Sequence, residues 1–129
     1  VKLTIPLRAI PKARMTFRSK WYPRARATLA FQRTLADYFR LHRVPAFSGP
    51  VRLTCRFYFR DRRHGDLKNL IAAIEDALQY AGVIPNDRLI LRYGGGTGIY
   101  YDAEERIELQ IEALTPKDIG PYNSHEGRR

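Results

Sequence analysis

From Val51 to Phe59 the chain alternates without a break. Val51, Leu53, Cys55, Phe57 and Phe59 fall on one side of an extended strand, and Arg52, Thr54, Arg56 and Tyr58 on the other. A strand with one apolar and one polar side needs a second layer over the apolar side. Two stretches can supply it. Pro23 suits a first helical turn, and the spacing predicts a helix from Arg24 to about His42 with Leu29, Leu35, Ala36 and Phe39 on its apolar face. Arg26, Arg33 and Arg40 share another face, with Asp37 spaced to pair with Arg33 or Arg40. A second helix is predicted from Leu67 to Ala81, with Leu67, Leu70, Ile71, Ile74, Ala77, Leu78 and Ala81 as its stripe. Gly82 follows as a good C′ residue. Cys55, the chain's single cysteine, sits among the apolar residues and reads as inert core.

The remaining elements are shorter. Lys2 to Ile5 can be a strand stopped by Pro6, Leu89 to Tyr93 another, and Glu105 to Ala113 alternates with Ile107, Leu109, Ile111 and Ala113 inward. The run Gly94-Gly-Gly-Thr-Gly98 has the glycines of a phosphate loop but lacks the Lys-Ser/Thr of a P-loop, and reads instead as a flexible hairpin connection. The order β-α-β-α-β-β describes a single α+β domain over residues 1–115, with helices packed on a largely antiparallel or mixed sheet. Residues 116–129 read as a polar, fraying tail. No run approaches the length of a membrane span and no secretory leader is visible, so a cytoplasmic protein is expected.

Charge narrows the function. The net charge is +10, and residues 1–68 hold 17 of the 23 Lys and Arg but only 3 of the 13 Asp and Glu. Such an excess in one half is an electrostatic footprint for a polyanion. Part of it lies in residues 8–23, where Lys12, Arg14, Arg18 and Lys20 are set among Met15, Phe17, Trp21 and Tyr22. Rings that stack and cations that track a backbone suit nucleic acid, although the same rings can pin a loop to the core.

A second basic loop, with Arg60, Arg62, Arg63 and His64, leads straight into Asp66 at the start of the second helix; Asp87 follows that helix. Basic groups can hold phosphate, and isolated carboxylates can hold the Mg²⁺ that phosphodiester cleavage uses. If the helix packs back across the sheet, Asp66 and Asp87 can meet at one end of it. Spacing alone favours Asp66 as a plain helix N-cap and Asp87 as an ordinary turn residue.

The run Asp66-Leu-Lys-Asn-Leu70, then Asp76-Ala-Leu78, Gly82, and Asn86-Asp87 before Leu89-Ile90, resembles the core motif of the RusA family of Holliday junction resolvases. Pro11-Lys-Ala-Arg14 resembles the family's basic N-terminal loop, and the likeness extends over about residues 3–112. The resemblance implies a homodimeric endonuclease that binds four-way DNA junctions and cuts two strands symmetrically. It implies Mg²⁺ (Mn²⁺ can substitute) held by Asp residues, with a Lys assisting. Carried over by position, Asp66 and Asp87 match essential Asp residues, Asn69 the motif Asn, here taken as a DNA contact, and Asp76 the Asp of Asp-Ala-Leu. Three positions depart. Lys68 stands where the motif has its second Asp, Ala72 where it has its Lys, and Asn86 where it has the first of two Asp residues. Lys68 is then the candidate to supply the missing cation, and Asp76 to complete the metal shell. The alternatives are a RusA-like protein that holds branched DNA without cutting it well, and a basic RNA-binding protein.

Overall fold

The computed structural model describes residues 1–12 and 23–120. Its elements are β1 (Lys2–Ile5), α1 (Pro23–Leu41), β2 (Val51–Phe59), α2 (Leu67–Tyr80), a 3-10 turn (Asp87–Leu89), β3 (Ile90–Tyr93), β4 (Gly98–Tyr101), β5 (Arg106–Ala113) and a one-turn helix α3 (Pro116–Ile119). The strands form one five-stranded mixed sheet with β2 at its centre. On one side β2 pairs antiparallel with β5, which pairs antiparallel with β1. On its other side β2 pairs parallel with both β3 and β4.

The alternation of β2 is satisfied as its residues require. Val51, Leu53, Cys55, Phe57 and Phe59 are buried, and Ile107, Leu109 and Ile111 of β5 meet them on the same side. Phe31, Leu35 and Phe39 of α1 and Leu70, Ala73, Ile74, Ala77 and Leu78 of α2 close over that side in one core. Each large apolar side chain so buried contributes about 1.5–3 kcal/mol. The layer is made by helices of which α2 is the better marked: Asp66 caps its start, and Gly82, at φ +77°, ends it in the left-handed conformation that glycine adopts readily. Phe31 fills part of the α1 face that Leu29 was expected to fill, and Ala113, expected inward, is exposed.

One expectation about the chain's path is corrected. The Gly94–Gly98 run is not a hairpin connection. β3 and β4 both run parallel to β2, so the chain passes through these glycines without reversing and forms one interrupted edge strand. The interruption presses against β2: Thr97 Oγ1 accepts from the Cys55 amide at 3.2 Å, and a Cβ on Gly94 would stand 1.8 Å from Thr54 Oγ1. At the start of the segment read as a tail, Asp118 accepts from the Thr115 amide and hydroxyl at 2.7 and 2.9 Å and closes α3. Among the described residues no helix is long and apolar enough to cross a membrane.

The close approach at Gly94 gives a stability test. Thr54 is buried, so the added methyl of Gly94→Ala has no room and should destabilise the fold by about 1–3 kcal/mol in urea denaturation. Gly95, whose Cβ would meet nothing within 4 Å, is the control, and Gly95→Ala should stay within about 0.5 kcal/mol of the parent.

Candidate active site

The basic loop between β2 and α2 is held at several points. Glu105, its side chain 13% exposed, receives the Arg8 guanidinium and, at 3.3 Å, the Arg60 amide. Arg8 also reaches the Arg63 carbonyl, and Asp61 accepts from the Arg63 amide at 2.9 Å. His64 stacks on Phe59 with ring centroids 4.6 Å apart. Its Nδ1 lies 2.8 Å from the Gly65 carbonyl and its Nε2 2.7 Å from the Tyr101 hydroxyl. His64, a candidate DNA contact, therefore has both ring nitrogens engaged within the protein. The Arg62 and Arg63 side chains are exposed and form no ion pair with a described residue, while Arg60 lies 3.9 Å from Glu105.

Asp66 stands at the end of this loop and is exposed. One carboxylate oxygen accepts from the Asn69 amide at 2.8 Å, the other from the Asn69 side chain at 3.2 Å. It is thus an N-cap, as its position alone suggested, with Asn69 holding the carboxylate. Capping leaves lone pairs on both oxygens facing outward. The Asn69 carbonyl accepts from the Lys12 amide at 3.0 Å, which ties the start of α2 to the N-terminal segment. Lys12 turns its ammonium to Asp76 at 3.0 Å, so its charge is already partnered.

Lys68, Ile71, Ala72 and Glu75 share one face of α2 and, with Leu67 and Tyr93, line a largely apolar pocket of about 560 Å³. Two of its residues escaped the sequence reading. Glu75 is half-buried, and its carboxylate accepts from the hydroxyl of Tyr93 on β3. Burial raises the Glu75 carboxyl, the Tyr93 hydrogen bond lowers it, and the charges of Asp87 and Asp76 raise it further. Burial, then Glu75 itself, push the Tyr93 phenol up. The only sequence signal for Glu75 is its helical spacing from Lys68, Ile71 and Ala72; its contact with Tyr93 is a tertiary one.

Asp66 and Asp87 do not meet within one chain. Asp66 follows the C-terminal end of β2, whereas Asp87 precedes β3, whose Ile90 pairs with Val51 at the N-terminal end of β2. A helix of 14 residues, about 21 Å long, lies between them. Asn86 caps the 3-10 turn, accepting from the Arg88 amide at 2.8 Å. Among the described residues no three of His, Cys, Asp and Glu are grouped so as to hold a metal ion. Asp66 and Asp87 of a single chain, with the other described donors, therefore do not fit a shared Mg²⁺. Arg14, Arg18 and Lys20, with Trp21 and Tyr22, lie outside the described residues.

The family model described as endodeoxyribonuclease RusA matches residues 6–112. The match covers most of the chain, and the protein belongs to the RusA family. No curated protein matches it. Membership makes it a member of a DNA endonuclease family whose implied activity is Holliday junction resolution, with divalent-metal dependence general to the family.

Proposed function

We propose that this protein is a Mg²⁺- or Mn²⁺-dependent endonuclease that resolves four-way DNA junctions in recombination and repair, and that it works as a homodimer. The observation that carries the reading is Asp66: an exposed carboxylate oriented by Asn69, directly behind a loop whose Arg62 and Arg63 side chains are exposed without a described acidic partner. A carboxylate so placed can take a hard cation, and the arginines can take phosphates.

The homodimer answers two needs. Cutting two equivalent strands symmetrically requires two sites related by a two-fold axis. The separation of Asp66 from Asp87 adds a reason specific to this fold. With the axis crossing α2, Asp66 of each chain faces the end of α2 near which the partner subunit's Asp87 lies. Each site then draws one carboxylate from each chain. A divalent ion held there would activate water and offset charge on the phosphate. Arg62 and Arg63, with Arg60, Arg14, Arg18 and Lys20, are assigned to the DNA backbone; Lys12 and Asp76 hold each other, and either is released to the DNA or the metal only if that pair opens.

Lys68 is assigned the role of the missing lysine. It lies one turn before Ala72 on the same face of α2, and both residues line the same pocket. Lys68→Ala should lower junction cleavage by about tenfold to a hundredfold without matching loss of binding, and Lys68→Ala/Ala72→Lys should recover most of it. Equal cleavage by Lys68→Ala and the parent would remove Lys68 from the chemistry.

The deciding experiment is cleavage of a synthetic four-way junction with Mg²⁺ or Mn²⁺, beside linear duplex and structured RNA at equal salt. Paired nicks in the junction alone support the proposal. Tight junction binding without nicks would support the second reading, a branched-DNA-binding protein, which Ala72 and Asn86 favour because neither offers the family's charged group. Preference for RNA would overturn both.

A further inference from the structure

We infer that the side of the sheet opposite the two long helices binds single-stranded DNA, with a base stacked on Tyr100 and a backbone phosphate on the Arg56 guanidinium. This goes beyond the proposed function, whose residues lie on and around α2.

Both α1 and α2 pack on the side of β2 that carries Val51 to Phe59 of the core, so neither covers the side that carries Arg52, Thr54, Arg56 and Tyr58. The register sets Tyr100 of β4, Tyr58 of β2 and Arg106 of β5 in one row across the strands. Arg106 lies over the Tyr58 ring at 3.8 Å, and Tyr58 stacks on Tyr100 with ring centroids 5.1 Å apart. Tyr100 ends this row at the sheet edge. Its hydroxyl donates to the Gly96 carbonyl at 2.6 Å, which anchors the ring, and the residue remains 37% exposed. Among the described residues no further ring or cation covers it. An unpaired base can continue the stack, as bases do on aromatic side chains of open sheets. A base inside a duplex is already stacked on both faces and cannot.

The next row supplies the phosphate contact. Arg56 stands across from Gly98 on β4 and Glu108 on β5. Glu108 is placed to pair with it, but that carboxylate is taken by Arg106 at 3.0 Å and by the Tyr58 hydroxyl at 3.1 Å. Arg106 also holds Asp102, and Arg52 has Glu112 at 3.7 Å. Arg56, half-buried, is left without an ion pair or hydrogen bond to a described residue. Its guanidinium lies across Gly96, where a Cβ would stand 2.2 Å from Nη2. Gly96 therefore brings the free guanidinium and the tip of Tyr100 to one point, about as a nucleotide's phosphate and base require. Lys2, Thr4 and Gln110 continue the polar surface from Arg56 in a concavity of about 410 Å³, with Glu108 on its wall already neutralised by Arg106. A planar cation without a counter-ion suits phosphate oxygens. Membership of an endodeoxyribonuclease family makes DNA the strand expected here.

Fluorescence anisotropy of a labelled oligothymidine of about twelve nucleotides, in metal-free buffer beside a blunt duplex of equal length, tests this. Tyr100→Leu and Arg56→Ala should each weaken oligothymidine binding by about fivefold to a hundredfold. Tyr100→Phe, which keeps the ring, should stay within about twofold of the parent. Arg56→Ala should also flatten the slope of log K against log salt by about 0.7, the share of one single-strand phosphate contact, whereas Tyr100→Leu should leave the slope in place. Duplex binding by all three should stay within about twofold, which also shows that each variant folds. Oligothymidine binding unmoved by both Tyr100→Leu and Arg56→Ala would overturn the site, and equal losses on duplex and single strand would overturn its assignment to an unpaired strand. A Tyr100→Phe loss as large as that of Tyr100→Leu would overturn stacking, and tighter binding of an oligouridine of the same length would overturn the assignment to DNA. The assay reads no cleavage and leaves Asp66 untouched, so none of these failures bears on the nuclease reading.

Discussion

Asp66→Asn should leave junction binding close to that of the parent and reduce cleavage by more than about a hundredfold. The choice of Asn separates chemistry from folding. Asp66 caps α2 through the Asn69 amide, and Asn is as good an N-cap as Asp, so the helix start should survive. The substitution removes a negative charge and replaces one carboxylate oxygen with an amide nitrogen, which cannot ligate a hard cation. Asp66→Ala would be a poorer test, since it also removes the cap and about 1 kcal/mol of stability with it. Thermal melting of Asp66→Asn near the parent's midpoint, together with lost cleavage, would assign the loss to the site. Undiminished cleavage would leave Asp66 as a cap and nothing more.

The second large effect is on affinity. Arg62 and Arg63 project from a loop fixed by Glu105, Arg8 and His64, so in the proposed function their side chains would meet DNA from a loop already held in place. Each phosphate contact adds about −0.9 to the slope of log K against log salt. Replacing both by Ala should flatten that slope by about 1.8 and weaken junction binding more at low salt than at high. Glu105 offers a contrast: it touches the loop but would not touch DNA, so Glu105→Gln should weaken binding through a looser loop while leaving the limiting slope nearly intact. A slope unchanged by the arginine replacements would assign Arg62 and Arg63 to solvent.

What could be read from the sequence follows from how locally each feature is encoded. β2 and α2 were legible because each has one buried face, so Val51 to Phe59 had to alternate and Leu70, Ile74, Ala77 and Leu78 had to recur at helical spacing. β3 and β4 were not legible as one interrupted strand. Both lie at the sheet edge, where exposed Leu91, Tyr93 and Tyr101 need not alternate, and three glycines at Gly94–Gly96 look the same in a turn as in a bulge. That misreading hid a consequence for the site. A hairpin after β3 leaves its direction relative to β2 open, whereas a parallel β2-α2-β3 unit places the loops before and after the helix at opposite ends of the sheet. Asp66 and Asp87 were therefore identifiable as residues but not as a separated pair. Glu75 and Tyr93 were missed for a related reason: their contact joins a helix face to an edge strand 18 residues away, and no local pattern reports it.

The same separation makes the central claim testable by subunit mixing. Asp66→Asn and Asp87→Asn chains, differently tagged and co-expressed, can be isolated as a mixed dimer and assayed on a four-way junction with Mg²⁺. If each site takes Asp66 from one chain and Asp87 from the other, the mixed dimer has one site with both substitutions and one with neither. It should nick one strand of the junction at a rate near that of a single parental site, while both homodimers stay inactive. Subunit exchange can only regenerate inactive homodimers, so it cannot mimic this result. A mixed dimer as inactive as the two homodimers would place Asp66 and Asp87 in a site within one chain and contradict the account.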